Sequence, residues 1–209
     1  MRTALAQAIF VAAALASTAQ AYAGMPSPSD LQRVLAGDRL FRAKHYPEAI
    51  AEYDRVLASN PKNAVALTMR GFAKAELGNY PLAMGDFDAA WKLAPESPNA
   101  WSNACWGRAL ANVDLDLALR LCNGAVKADP TGNKGYDTRA FLHLRRGEFD
   151  AAASDYTRAI HEYRTASSLF GRAIAKSRLG QADAQTDLDA ALGLDPEIAD
   201  TYAKRGLTP

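Results

Sequence analysis

The stretch HYPEAIAEYDRVLASNP, residues 45–61, returns as NYPLAMGDFDAAWKLAP at 79–95 and as EFDAAASDYTRAI at 148–160. A fixed period in the range of 20 to 50 residues decides an architecture before any single element does. Three independent sets of positions give the same period. Pro61, Pro95 and Pro130 lie 34 and 35 residues apart, and Pro196 follows 66 residues later. Ala49, Ala83, Ala118 and Ala152 are spaced 34, 35 and 34, each followed four residues on by Tyr53, Phe87, Cys122 or Tyr156. Leu67, Trp101, Tyr136, Leu169 and Tyr202 recur at 34, 35, 33 and 33.

Inside a unit the apolar residues fall at helical spacing. Leu67, Phe72 and Leu77 precede Gly78-Asn79, a helix-stopping pair, and Leu82, Met84, Phe87 and Trp91 follow it. That pattern is an antiparallel helix hairpin. Ser97-Pro98 supplies an N-cap and then a proline at the first helical position, where its missing N–H is no loss. Gly71, Ala83 and Ala90 let the two helices approach. The reading is five hairpins, at about 30–63, 64–97, 98–132, 133–165 and 166–198, followed by a helical stub from Ala199 to Leu207. One hairpin cannot bury its apolar face alone, so neighbours stack into a continuous core.

This pattern resembles the tetratricopeptide repeat, a 34-residue helix-turn-helix, over residues 30 to about 207. NYPLAMGDFDAAWKLAP carries the turn, the small residue at Ala83, the aromatic Phe87, Ala90 and the closing Pro95. Departures occur at Arg33, where a large apolar residue is usual, at Arg164, which replaces a closing proline, and around Gly180, where the last unit is short. The resemblance implies an all-α, right-handed superhelical solenoid. It also implies a concave face, lined mainly by first helices, that binds a protein or peptide. By position, that face takes Phe72, Asn103 with Trp106, Lys134, Phe141 and Arg145, and Arg178. Some family members grip a partner's C-terminal carboxylate with a Lys, Asn and Arg set; only Asn103 and Lys134 match it here. Phe72, Trp106 and Phe141 hold one place in three consecutive first helices, so they are expected to line up as an aromatic ladder; the other reading of the three is core packing.

The first residues, MRTALAQAIFVAAALASTAQAYAG, have Arg2, an apolar run from Ala4 to Ala16 and small-residue cleavage signatures ending at Ala21 and Ala23. That is the layout of a secretory signal peptide over 1–23, with 24–29 as a linker. The run is shorter than the roughly 20 residues a bilayer needs. The expectation is a periplasmic or secreted protein with no direct membrane insertion after signal removal. Of 24 Lys and Arg and 23 Asp and Glu, this segment holds one Arg and no acid, so the mature chain has no net charge. A nucleic-acid surface needs basic excess, so nucleic acid is not an expected partner.

Catalytic groupings are scarce. His45, His143 and His161 sit at unrelated repeat positions, without metal-ligand or triad spacing, and no phosphate-binding glycine loop occurs. No enzyme activity, cofactor or metal is expected. The expected role is an interaction scaffold that binds a protein segment in its groove; the alternative is an accessory subunit or assembly factor of a larger cell-envelope complex.

Two pairings follow from hairpin geometry, in which residues equidistant from the turn face each other. Arg70 and Asp86, Arg139 and Asp155, and Arg172 and Asp187 repeat at separations of 16, 16 and 15, which points to an inter-helix Arg-Asp bridge in three hairpins; the other reading is that both side chains of each pair point to water. Cys105 and Cys122 flank the turn at 112–115 symmetrically. They face each other either as a disulfide, which an oxidising compartment would permit, or as two small buried thiols.

Overall fold

The structure, a computed structural model, describes residues 27–209. The signal-peptide assignment to 1–23 lies outside the described residues. Eleven helices follow in pairs: α1 Pro28–Arg42 with α2 Tyr46–Ser59, α3 Ala64–Glu76 with α4 Tyr80–Leu93, α5 Pro98–Ala111 with α6 Leu115–Ala128, α7 Asn133–Arg146 with α8 Phe149–Glu162, α9 Ala166–Arg178 with α10 Ala184–Leu194, and a final α11 Ile198–Lys204. Each second helix packs on its own first helix and, up to α9, on the first helix of the next pair. The described residues therefore form an all-helical stack of five hairpins and a stub.

Local chemistry explains the punctuation. The side chains of Asn63, Ser97 and Thr165 accept hydrogen bonds from the N–H groups of Ala66, Ala100 and Ser168, at 2.9, 3.4 and 3.0 Å. Each satisfies one donor that a helix start leaves orphaned. Gly78 ends the α3 turn at φ 76°, a left-handed conformation open to glycine without penalty. The Asn79 N–H then reaches back to the Lys74 carbonyl at 2.9 Å, closing the helix end.

The periodic residues form the core. Ala49, Ala83, Ala118 and Ala152 are fully buried, as are Tyr53, Phe87, Cys122 and Tyr156. Small residues face the large ones. A Cβ on Gly71 or Gly107 would sit 2.7 or 2.8 Å from the Phe87 ring, so the ring is clamped between α3 and α5, where only glycine fits without displacing it. The third hairpin differs. By repeat register Cys105 and Cys122 stand where the second hairpin has Gly71 and Phe87, and they form a disulfide with a Cα–Cα distance of 5.6 Å. A covalent link there replaces a glycine-aromatic contact.

All three Arg-Asp pairs form, and each is two-pronged. Arg70 Nε and Nη2 donate to Asp86 at 2.9 and 2.6 Å, Arg139 to Asp155 at 2.7 and 2.9 Å, and Arg172 to Asp187 at 2.7 and 2.6 Å. The third guanidinium nitrogen turns to the second helix of the preceding hairpin, meeting Asp54, Asn123 or Thr157 at 2.6, 2.9 and 3.3 Å. One planar fork thus joins three helices, which a lysine could not do. The bond to Asp86 holds the Arg70 guanidinium above its ordinary pKa, and the bond to Asp155 does the same for Arg139. In the third hairpin register places Ala104 and Leu121 at these positions. Arg108 instead donates to Asp88 of α4, with Nη2 at 2.8 Å from Oδ2.

Candidate functional site

The first helices present an inner face, and its open part lies across α3, α5 and α7. A groove of about 310 Å³ is walled there by Val65, Met69, Phe72 and Ala100, with Thr68, Ser97, Asn99, Asn103 and Lys134 as its polar groups. Phe72 rests edge-on against Phe87, with ring centroids 5.1 Å apart, and beside Trp106 at 5.6 Å. Lys134 Nζ lies 5.7 Å from the Phe72 ring centroid, a cation over an aromatic face. No acid pairs with Lys134 among the described residues; the residue stays exposed, and partial desolvation by the protein around it lowers its pKa. The arrangement supplies an apolar wall, a carboxamide able to both donate and accept, and a cation without a counter-ion. Chemically that suits an extended segment with apolar side chains and an anionic group.

Further along the inner face the geometry changes. Phe141 is only 3% exposed, covered by Tyr202 of α11 at a centroid distance of 6.2 Å. Arg145 lies over the Phe141 ring at 5.6 Å, and its buried Nε has no hydrogen-bond partner. Arg178 Nη2 donates to the Thr208 carbonyl at 3.1 Å. The structure thus brings Phe72, Trp106, Asn103 and Lys134 together, whereas Phe141, Arg145 and Arg178 lie under or beside the C-terminal segment.

Arg205 explains part of this. It occupies the register position of Arg70, Arg139 and Arg172, but among the described residues its acidic partner is Glu76 and not an aspartate. The guanidinium settles over Trp106 at 5.6 Å, with Glu76 at 3.9 Å. Sequence reasoning did not assign Val65, Met69 or Arg205 to this face. Val65 carried a weak signal, an apolar residue outside the core comb of its helix.

The three histidines stay apart. His143 Nδ1 pairs with Glu148 at 2.6 Å, bracing the α7–α8 turn, and His161 is exposed beside Glu162. Among the described residues no group of three or more His, Cys, Asp or Glu is placed to hold a metal ion, and no helix is long and apolar enough to cross a membrane.

Residues 34–98 match the tetratricopeptide repeat family. Over 57 residues, 27% of this chain, the sequence is 47% identical to the peptidyl-prolyl cis-trans isomerase FKBP42 of Arabidopsis thaliana, and spans 16% of that protein. The fold is similar to a thermophilic tetratricopeptide repeat protein of Thermus thermophilus, with a TM-score of 0.71 at 18% identity, covering 85% of this chain and 97% of that one. It is also similar to YrrB, described as a tetratricopeptide repeat protein with an unusual peptide-binding site, with a TM-score of 0.52 at 18% identity over 83% and 90% of the two chains. The matched segment, residues 34–98, carries the tetratricopeptide repeat pattern, and the same hairpin continues through α9 and α10, so the described residues have the fold of tetratricopeptide repeat proteins.

Proposed function

We propose that this tetratricopeptide repeat scaffold binds a segment of another protein in the groove between α3, α5 and α7. One observation carries the reading: an apolar wall of Val65, Met69 and Phe72 faces Asn103 and a Lys134 that has no acid beside it among the described residues. A cation held against an aromatic face without a counter-ion is matched by a carboxylate on the incoming segment. The peptide-binding site described for YrrB, a protein of similar fold, agrees with this reading.

Panning a random twelve-residue peptide library against the chain tests it. Enriched peptides are expected to pair apolar anchors with an acidic group. Lys134→Glu should weaken them at least ten-fold, about 1.4 kcal/mol, with the melting temperature unchanged. Peptides indifferent to both Lys134→Glu and Phe72→Ala would overturn the groove and favour an accessory-subunit role through the outer face.

We further propose that the chain is exported. The layout of residues 1–23 supports this, and a disulfide is at home in an oxidising compartment. N-terminal sequencing of protein from its native source should then begin near Tyr22 or Gly24, and an intact Met1 would refute it.

A further inference from the structure

The final helix departs from the stack. α3, α5, α7 and α9 each pack along the second helix before them, but α11 barely touches α10 and is carried inward over the inner face. Ile198, Tyr202 and Arg205 stand at i, i+4 and i+7, one helical face. Tyr202, 1% exposed, lies against Phe170 at 4.9 Å and Phe141 at 6.2 Å, and its hydroxyl donates to the Ser167 carbonyl at 2.9 Å. Arg205 covers Trp106. Beyond the groove, Glu197 meets Lys44 in the α1–α2 turn at 2.8 Å, and the Tyr80 hydroxyl donates to the Lys204 carbonyl at 3.3 Å. The segment thus reaches every hairpin of the stack, as a bound ligand would.

Its fastening is uneven. Tyr202 is a deep anchor, but the Lys44–Glu197 pair is 69% and 71% exposed, a kind of contact that solvent and salt weaken. A polar cavity of about 540 Å³, lined by Lys44, Tyr46, Glu76 and Lys204 among others, is left between the segment and the first hairpins. Arg145 and Arg205 come close enough to repel, and that repulsion, with burial the larger cause, lowers the Arg145 pKa.

We propose that residues 197–209 are a cis ligand of the inner face: a helical segment with an aliphatic, an aromatic and an arginine residue at i, i+4 and i+7 occupies the surface formed by Trp106, Phe141 and Phe170, and a partner segment of the same pattern takes its place. The proposal deepens the groove reading above but concerns the adjoining part of the inner face, which meets the groove at Trp106. The probe is a fluorescein-labelled peptide of residues 196–209, titrated by anisotropy against full-length chains. The Tyr202→Ala chain, whose own segment has lost its anchor, is expected to bind the peptide at least ten-fold more tightly than the unaltered chain. A peptide itself carrying Tyr202→Ala should bind neither. Arg205→Glu, at a partly exposed site, is the second chain variant if Tyr202→Ala loses its helical circular dichroism. Equal binding by altered and unaltered folded chains, or no binding by either variant, overturns the proposal. Such a result would leave Lys134-dependent peptide capture standing, whereas loss of that capture alone would leave the cis ligand standing.

Discussion

Reducing Cys105–Cys122 is expected to destabilise the stack by about 3 kcal/mol, the chain-entropy value for releasing a loop of this size. The bridge spans a sequence separation of 17. For a chain of this length that corresponds to a melting temperature lower by about 6 to 12 °C. The third hairpin is exposed to the loss for a specific reason. Where the second hairpin fills its interface with Phe87 against Gly71, the third has only two sulfurs, and it carries neither member of the Arg-Asp pair found in its neighbours. Nine of the 14 residues of α5 are buried, against α4, α6 and α7, so loosening the third hairpin also weakens the interfaces on both sides. Thermal unfolding followed by circular dichroism, with and without reductant, checks this. The Cys105→Ala/Cys122→Ala chain should show the lower transition and no response to reductant. An unaltered chain whose transition ignores reductant would contradict the expectation.

Asp187→Ala should cost about 3 to 5 kcal/mol, the range for stripping one partner from a buried ion pair. Asp187 is 5% exposed and accepts from Arg172 and from Lys176 Nζ at 2.9 Å, so its removal leaves two cations facing each other. Asp150→Ala, at an exposed helix start, is the control and should change stability by less than about 0.5 kcal/mol. The same site gives a pH dependence. Burial pushes the Asp187 carboxyl up, but the bonds from Arg172 and Lys176 outweigh it and hold the group below its ordinary value. A depressed carboxyl contributes stability that is complete above its unfolded pKa, about 3.9, and is lost as pH falls through the lower folded value. Acid should therefore loosen the last hairpin in Asp187-containing protein, while Asp187→Ala flattens that dependence. Hydrogen exchange of α9 and α10 amides between about pH 5 and pH 3 measures it. Equal acid sensitivity in both proteins would rule the pair out as its source.

Much of the fold was legible because its determinants are local or repeat at fixed spacing. A hairpin's two helices are joined by a short turn, so equidistance from that turn is enough to pair Arg139 with Asp155 or Cys105 with Cys122. The small-against-large pattern at Gly71 and Phe87 recurs for the same reason. Phe72 and Trp106 could be assigned to one face because they hold the same place in stacked units, and such places must align, whereas Asn103 and Lys134 were assigned to it through the resemblance to the repeat family.

The fate of the C-terminal segment was not legible in this way. Tyr202 keeps the comb begun by Leu67 and Trp101, which reads as one more stacked helix, yet it lies against Phe141 and Phe170 instead. Where the stub goes depends on the rotation accumulated over five hairpins, which brings the α1–α2 turn and Lys44 within reach of Glu197 across 153 residues. No local spacing encodes that sum. The sequence by itself determined the repeat, the helix pairs and the bonds within each pair; only the tertiary structure decided which part of the inner face stays open and which is covered by the chain's own end, because that depends on how separate repeats meet in space.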